Sequence, residues 1–281
     1  MPTSPPLDVP PADALGSVLS AWPAGEVSVW LGGLDGTPSY AHREHTPHYA
    51  ASTMKLPLAV AAFRRHERGE LDLDRPVRVH ETFASAADGS AFRMDQGEDQ
   101  DDETWAAMGT EVPLRLLLRR MIVRSGNLAT NIVLEHVGQG EVASVLQAAG
   151  CTTETMLPRG IEDAVARDAG LDNLVTAGDL ARVLVAVATG TIAGPESCAE
   201  VEAILAAQEH RDMIPAGLPA DAYVADKPGW VDGVAHDVAL VRPDSGEPYV
   251  LAVCTSTGLP GDEASALVAG ISRLAWQERL A

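Results

Sequence analysis

The sequence predicts a two-lobed α/β (α+β) protein, with one antiparallel sheet assembled from both ends of the chain, flanked by helices, and an all-α lobe inserted between them. Three observations carry this. Strand-like runs fall near both termini, the middle of the chain follows helical periodicity, and a helical run outside each group of strands is available to cover the sheet. With 281 residues, 46% of them hydrophobic, the chain can bury a full core as one large domain or two lobes. The expected partition gives approximately residues 1–50 and 220–281 to the α/β lobe and approximately 51–219 to the helical lobe.

Pro10 to Trp22 reads as a first helix. Val27 to Gly33 and Pro38 to His42 read as a hairpin, with Gly32-Gly33 and Asp35-Gly36 supplying the turn. From Ser52 the pattern changes: Met54, Leu56, Leu58, Val60, Ala61 and Phe63 make a helix buried over much of its surface and ending before Gly69. Ser85 to Met108 is polar, and Asp95 to Glu103 is nearly all charged or Gln, which reads as a solvated loop. Pro113 begins a helix with Leu114, Leu117, Leu118, Met121 and Ile122 on one face. A second runs from Asn127 through Leu134 to Val137, so Ser125-Gly126 falls at the junction. Glu141 to Ala149 is a third, stopped by Gly150, and Arg159 to Asn173 is a loop-rich connection. Thr176 with Asp179 three residues on resembles a capping box opening another helix, and Glu200 to Gln208 adds one more. Ala222 to Lys227, Val238 to Arg242 and Tyr249 to Cys254 read as strands, with a turn at Asp244 to Gly246, before a closing helix from Asp262 to Arg279.

A formal charge of -20 would repel phosphate backbones and anionic lipid, which argues against nucleic-acid and membrane-surface roles and leaves small-molecule or peptide partners. No stretch approaches a membrane span. Met1 to Ala14 carries no basic residue and no apolar run before Leu15, unlike a signal peptide. The expectation is a cytoplasmic protein if the chain is complete, or an exported one if it is a trimmed mature form. A monomer is expected. Cys151, Cys198 and Cys254 are scattered, without metal-ligand or disulfide spacing, and read as reduced core residues.

Only two lysines, Lys55 and Lys227, stand against eighteen arginines. An ammonium can give up its proton and act as a base, whereas a guanidinium in a protein effectively never does. Lysine is thus kept at two places where chemistry can use an amine. In Ser52-Thr53-Met54-Lys55 a serine at a helix start has its hydroxyl near unpaired backbone N–H groups, with an amine three residues on along the same face. Lys55 can take the Ser52 proton if burial or the charge of Lys227 lowers its pKa. The alternative is an N-cap beside a surface lysine. Ser125-Gly126-Asn127 offers a second hydroxyl for relaying a proton and an amide for holding a substrate carbonyl or the lysine, or else is a helix-capping turn. Lys227-Pro228-Gly229 on an edge strand presents an ammonium to a substrate anion, while Gly229 lets a substrate lie close to the strand, or else is simply a strand end.

In this order, each on its expected element, the three motifs resemble those of the serine β-lactamase and penicillin-binding superfamily: Ser-x-x-Lys, Ser-Asp-Asn and Lys-Thr-Gly. The class A arrangement fits best, over nearly the whole chain. The resemblance implies a β-lactamase-like fold with the site in the cleft between the lobes, no cofactor, no metal, and acyl transfer. Ser52 would attack an amide or lactam carbonyl, Lys55 accept the proton and Ser125 protonate the leaving nitrogen. Backbone N–H groups of Ser52 and Trp230 would hold the oxyanion. Asn127, Lys227, Gly229 and Trp230 become the candidate substrate-binding residues, with the Trp230 ring either lining the groove or packing on the strand.

Several positions depart from that pattern. Gly126 removes the carboxylate of the middle motif, and Pro228 removes a hydroxyl and a backbone N–H from the third. The arginine common after this strand in class A enzymes has no counterpart in Asp232 to Asp237. Class A enzymes also carry a water-activating glutamate, followed four residues later by Asn. Glu162 lies 37 residues past Ser125, close to the family's spacing, but Ala166 stands where Asn is expected, and Asp163 rivals Glu162 for the role. His42, His45 and His48 have ligand-like spacing on a polar loop better suited to bracing it, and His236-Asp237 reads as a structural hydrogen-bonded pair. The expected function is a serine hydrolase acting through an acyl-enzyme, with β-lactams as the first substrate class. The alternatives are a serine esterase or D-amino-acid peptidase of the same fold, or a penicillin-binding-type protein that releases its ligand slowly.

Overall fold

Runs rich in Val, Leu and Ala from the two ends of the chain pair edge to edge, as β-branched and apolar side chains favour. The computed structural model describes residues 11–20 and 25–278. In it the paired runs are β1 (Glu26–Gly33), β2 (Pro38–His42), β3 (Tyr223–Val231), β4 (Val234–Arg242) and β5 (Tyr249–Ser256), in the spatial order β2-β1-β5-β4-β3 and antiparallel throughout. Val29 pairs with Val253 and Val253 with Asp237, so the N-terminal strands lie directly against the C-terminal ones. The sheet built from both chain ends is therefore as expected. β3 ends up at its edge.

Because side chains alternate along a strand, the sheet separates two cores. Ala235, Ala239 and Val241 of β4 face the terminal helices α1 (Pro11–Ser20) and α8 (Gly261–Glu278), which contribute Leu15, Leu19, Val268, Ile271 and Leu274. Val238 and Leu240 face the helical lobe. That lobe is built from α2 (Lys55–Glu67), α3 (Leu114–Val123), α4 (Asn127–Val137), α5 (Gln139–Ala148), α6 (Ala177–Ala188) and α7 (Pro195–Ala206). In α2 every residue from Lys55 to Phe63 is buried, and the small Ala59, Ala61 and Ala62 let neighbouring helices approach on all sides. α3 buries the stripe of Leu114, Leu117, Leu118, Met121 and Ile122, each such side chain contributing about 1.5–3 kcal/mol. At the start of α6 the Thr176 side chain accepts from the Asp179 N–H, as the capping pattern predicts.

Five sequence expectations change. β3 runs on through Pro228-Gly229 to Val231, and β4 begins at Val234 rather than Val238. His236 and Asp237 interrupt the apolar pattern, yet point to opposite faces and find separate partners instead of each other. His236 accepts from Thr255 N–H on Nδ1 and donates to the Tyr49 carbonyl, while Asp237 accepts from Ile214 N–H. The helix expected from Glu200 starts earlier, with Pro195 at its first turn. The polar segment Ser85 to Met108 is not simply solvated: Ala91–Arg93 pairs with Thr82–Ala84, and Met94, Asp101 and Trp105 are buried. Pro10, Ala21, Trp22 and Arg279, the outer ends of the two terminal helical readings, lie outside the described residues.

Candidate active site

A 3-10 turn, Ala51–Met54, packs against the edge strand β3 and leads into α2. Ala51 is bent into the left-handed region at φ +43°, which sets Ser52 half-buried at the helix start and Lys55 one turn further in. Ser125, between α3 and α4, stands at φ +58°, and Glu162 at φ +62°. Of the non-glycine residues described, only Arg43 shares this backbone region. Such conformations cost about 1–3 kcal/mol each and persist where surrounding packing imposes them.

Both lysines are fully buried and converge on Ser125. Lys55 Nζ donates to the Ser125 carbonyl (2.6 Å), to Asn127 Oδ1 (2.8 Å) and to Ser125 Oγ (3.3 Å). Lys227 Nζ donates to Ser125 Oγ (3.2 Å) and to the Pro228 carbonyl (2.8 Å). Burial and then the charge of Lys227 push the Lys55 pKa well below the usual lysine range, with Asp99 pulling the other way. Burial lowers Lys227 to about 7, opposed by Asp226 and Asp237. A neutral Lys55 keeps two hydrogens for the two amide oxygens and turns its lone pair toward the hydroxyls. With Lys55 neutral, the Ser125 hydroxyl accepts from Lys227 and has its own hydrogen to give toward the Lys55 lone pair.

Gly229 is fixed by contact. A Cβ there would lie 2.7 Å from Ser52 N and 2.8 Å from Thr53 N, so β3 and the helix start touch backbone to backbone. Gly229→Ala is expected to push them apart and slow acylation of Ser52 by about 100-fold, the effect of an ångström-scale displacement, with little change in circular dichroism. Stopped-flow acylation rates check this. The Trp230 ring does not line the groove. With Lys227 and Gly229 facing the helical lobe, the two-residue period turns Trp230 to the other face, against the His210 ring at 4.9 Å and the terminal-helix core. Its backbone alone borders the site.

Asn127 is oriented from outside the motif, its Nδ2 donating to the Glu98 carbonyl (2.8 Å) so that Oδ1 faces Lys55. One turn along α4, buried Asn131 pairs with both the N–H and the carbonyl of Ile161, holding the connection just before Glu162. The connection is also braced by buried Arg159, which donates to the Leu171 and Gly160 carbonyls. Glu162 Oε2 accepts from Asp95 N–H (2.8 Å), while its buried Oε1 has no hydrogen-bond partner among the described residues. Burial raises the Glu162 pKa, opposed by the Asp95 N–H, with nearby acidic charges adding to the rise. Asp163 is spent on structure: Oδ1 accepts from Ser85 Oγ and Ala166 N–H, and Oδ2 from Ala86 N–H. Of the two carboxylates, Glu162 is the one with an oxygen left for water.

His42 ends β2, and His45 lies beside Glu44. His48 is buried between the Ser28 and Ser256 hydroxyls, its pKa lowered to about 4 by burial, and it braces β1 against β5. Ala51, Asp99 and Asn131 are among the contributors that escaped the sequence reading. Asn131 had a signal, since it sits four residues after Asn127 and so on the same helix face. Ala51 had none, because alanine does not announce a left-handed bend.

A family model described as the beta-lactamase enzyme family matches residues 10–279. Among curated proteins, none matches the chain. Solved structures share its fold. PBP-A is 22% identical with a TM-score of 0.78, covering 95% of this chain and 94% of its own. The beta-lactamase from Sphaerobacter thermophilus is 24% identical, with a TM-score of 0.78 and 95% of each chain covered. A variant of the last common ancestor of Gram-negative bacteria beta-lactamase class A, bound to 5(6)-nitrobenzotriazole, is 23% identical, with a TM-score of 0.80, covering 96% of this chain and 98% of its own.

Proposed function

The chain belongs to the beta-lactamase enzyme family, and from that premise we propose that it hydrolyses β-lactams through an acyl-enzyme on Ser52. The observation that carries the proposal is the Ser125 hydroxyl held between two buried amines, 3.3 Å from Lys55 and 3.2 Å from Lys227. Neutral Lys55 takes the Ser52 proton as Oγ attacks the lactam carbonyl carbon. The Ser52 and Trp230 N–H groups receive the oxyanion. As the C–N bond breaks, Ser125 gives its proton to the leaving nitrogen and recovers one from the Lys55 ammonium. Asn127 and Lys227 hold the substrate's polar groups, and the flush Gly229 admits it beside β3. In the second half Glu162 takes a proton from water, the hydroxide attacks the ester carbonyl, and Ser52 Oγ leaves with that proton.

One observation favours a slower second half, as in a penicillin-binding-type protein. Ala166 offers no side-chain amide beside Glu162 to help hold the water, and the Glu162 carboxylate is tied on one side to Asp95. A chromogenic cephalosporin followed by a panel of small esters separates the readings. Hydrolysis should continue well beyond one equivalent per protein. Release of one equivalent and then arrest would support the slow-release reading, and turnover of esters alone would support an esterase.

A further inference from the structure

The turn Ser125-Gly126-Asn127 has no carboxylate of its own, yet two carboxylates from elsewhere close around it. A Cβ at Gly126 would lie 3.0 Å from Asp101 Cβ and 3.3 Å from its Oδ2, so Asp101 fills the space where a side chain at 126 would stand. Asp101 is buried and accepts from Arg124 Nη1, directly before Ser125, and from the Thr104 hydroxyl. Asp99 reaches the other side of the turn. Its Oδ1 accepts from Asn127 N–H (2.7 Å) and Oδ2 from Leu128 N–H (2.7 Å), which are orphan donors of the first turn of α4, and Trp105 Nε1 adds a third donor at 2.8 Å. The neighbouring Glu98 carbonyl fixes the Asn127 amide toward Lys55.

We propose that Asp99 and Asp101 jointly replace the carboxylate missing at Gly126 as positioning residues, Asp101 by bracing the strained Ser125 through Arg124 and Asp99 by clamping Asn127 and supporting the base Lys55. The proposal rests on Lys55 being the base of the reaction described above, but the placement can be tested without substrate. The charged groups acting on Lys55 are Lys227 from β3 and Asp99 from this loop, and Glu162 faces the same loop from the connection after α5. Removing the Asp99 charge therefore leaves Lys227 unopposed.

Because the chain has two lysines, lysine labelled with ¹³C at Cε gives two signals, assigned with Lys227→Arg. In Asp99→Asn the titration midpoint of Lys55 should fall by about one pH unit, which a helix cap with no electrical role would not cause. In a second arm, Asp101→Gly and Gly126→Asp are made singly and together. Each single change should slow acylation of Ser52 by about tenfold, Gly126→Asp by driving two carboxylates together, and the exchange should restore it to near the parent rate. An unmoved Lys55 midpoint in folded Asp99→Asn overturns the proposal, as does an exchange variant no faster than the slower single one. If Asp99→Asn does not fold, the exchange decides. If the parent forms no adduct with any reactive ester, the proposed function has failed, and the lysine titration alone judges Asp99.

Discussion

Lys55→Arg abolishes acylation at every pH. A guanidinium has no accessible neutral form, so it cannot take the Ser52 proton however alkaline the solution becomes. The loss should reach about a thousandfold or more in the rate of adduct formation, the upper part of the range for removing a general base. The parent enzyme should behave differently: its acylation rate falls as pH drops through the lowered pKa of Lys55, because protonation removes the lone pair. A variant with a changed side chain but an intact base would keep that limb. If Lys55→Arg acylates at near-parent rates, or recovers above neutrality, the base lies elsewhere.

Glu162→Gln stops the reaction halfway. In the proposed mechanism acylation uses Lys55 and Ser125, whose hydrogen-bond partners do not include Glu162, so the first step should run at the parent rate. Hydrolysis of the adduct should slow by about 10²–10⁴-fold, the usual effect of losing a base that activates water. The visible result is one rapid equivalent of product followed by a slow steady rate, with a long-lived adduct on Ser52. Asp163→Asn should instead lower thermal stability, because three donors from Ser85, Ala86 and Ala166 lose a charged acceptor in a buried place. Should Asp163→Asn stall with adduct while Glu162→Gln turns over normally, the two roles are exchanged.

The parts of the site legible in the sequence are those written as short local patterns on regular elements. Ser52 and Lys55 share one helix face, Ser125 and Asn127 open another helix, and the scarcity of lysine marks Lys227. The sheet was legible for the same reason, through apolar runs near both ends. Its extent was not: the strand readings stop at Lys227 and begin again at Val238, while the partners that place buried His236 and Asp237 inside the strand, Tyr49, Thr255 and Ile214, are distant in sequence. The Trp230 side was recoverable: counting by two from Lys227 and Gly229 puts the ring on the far face. Asp99 and Asp101 were not recoverable. Their segment has the composition of a solvated loop, and the partners that tie them to the turn, Arg124, Asn127 and Leu128, lie more than twenty residues away.

A covalent intermediate should form on Ser52 and then clear. Intact-mass spectrometry of the native protein mixed with excess penicillin, sampled from seconds to hours and followed by digestion, tests it directly. The mass of the whole penicillin should appear on the peptide carrying Ser52, persist while substrate lasts, and vanish as the substrate is consumed to its ring-opened acid. An adduct on Ser125, or hydrolysis with no adduct at any time even in Glu162→Gln, would contradict the account.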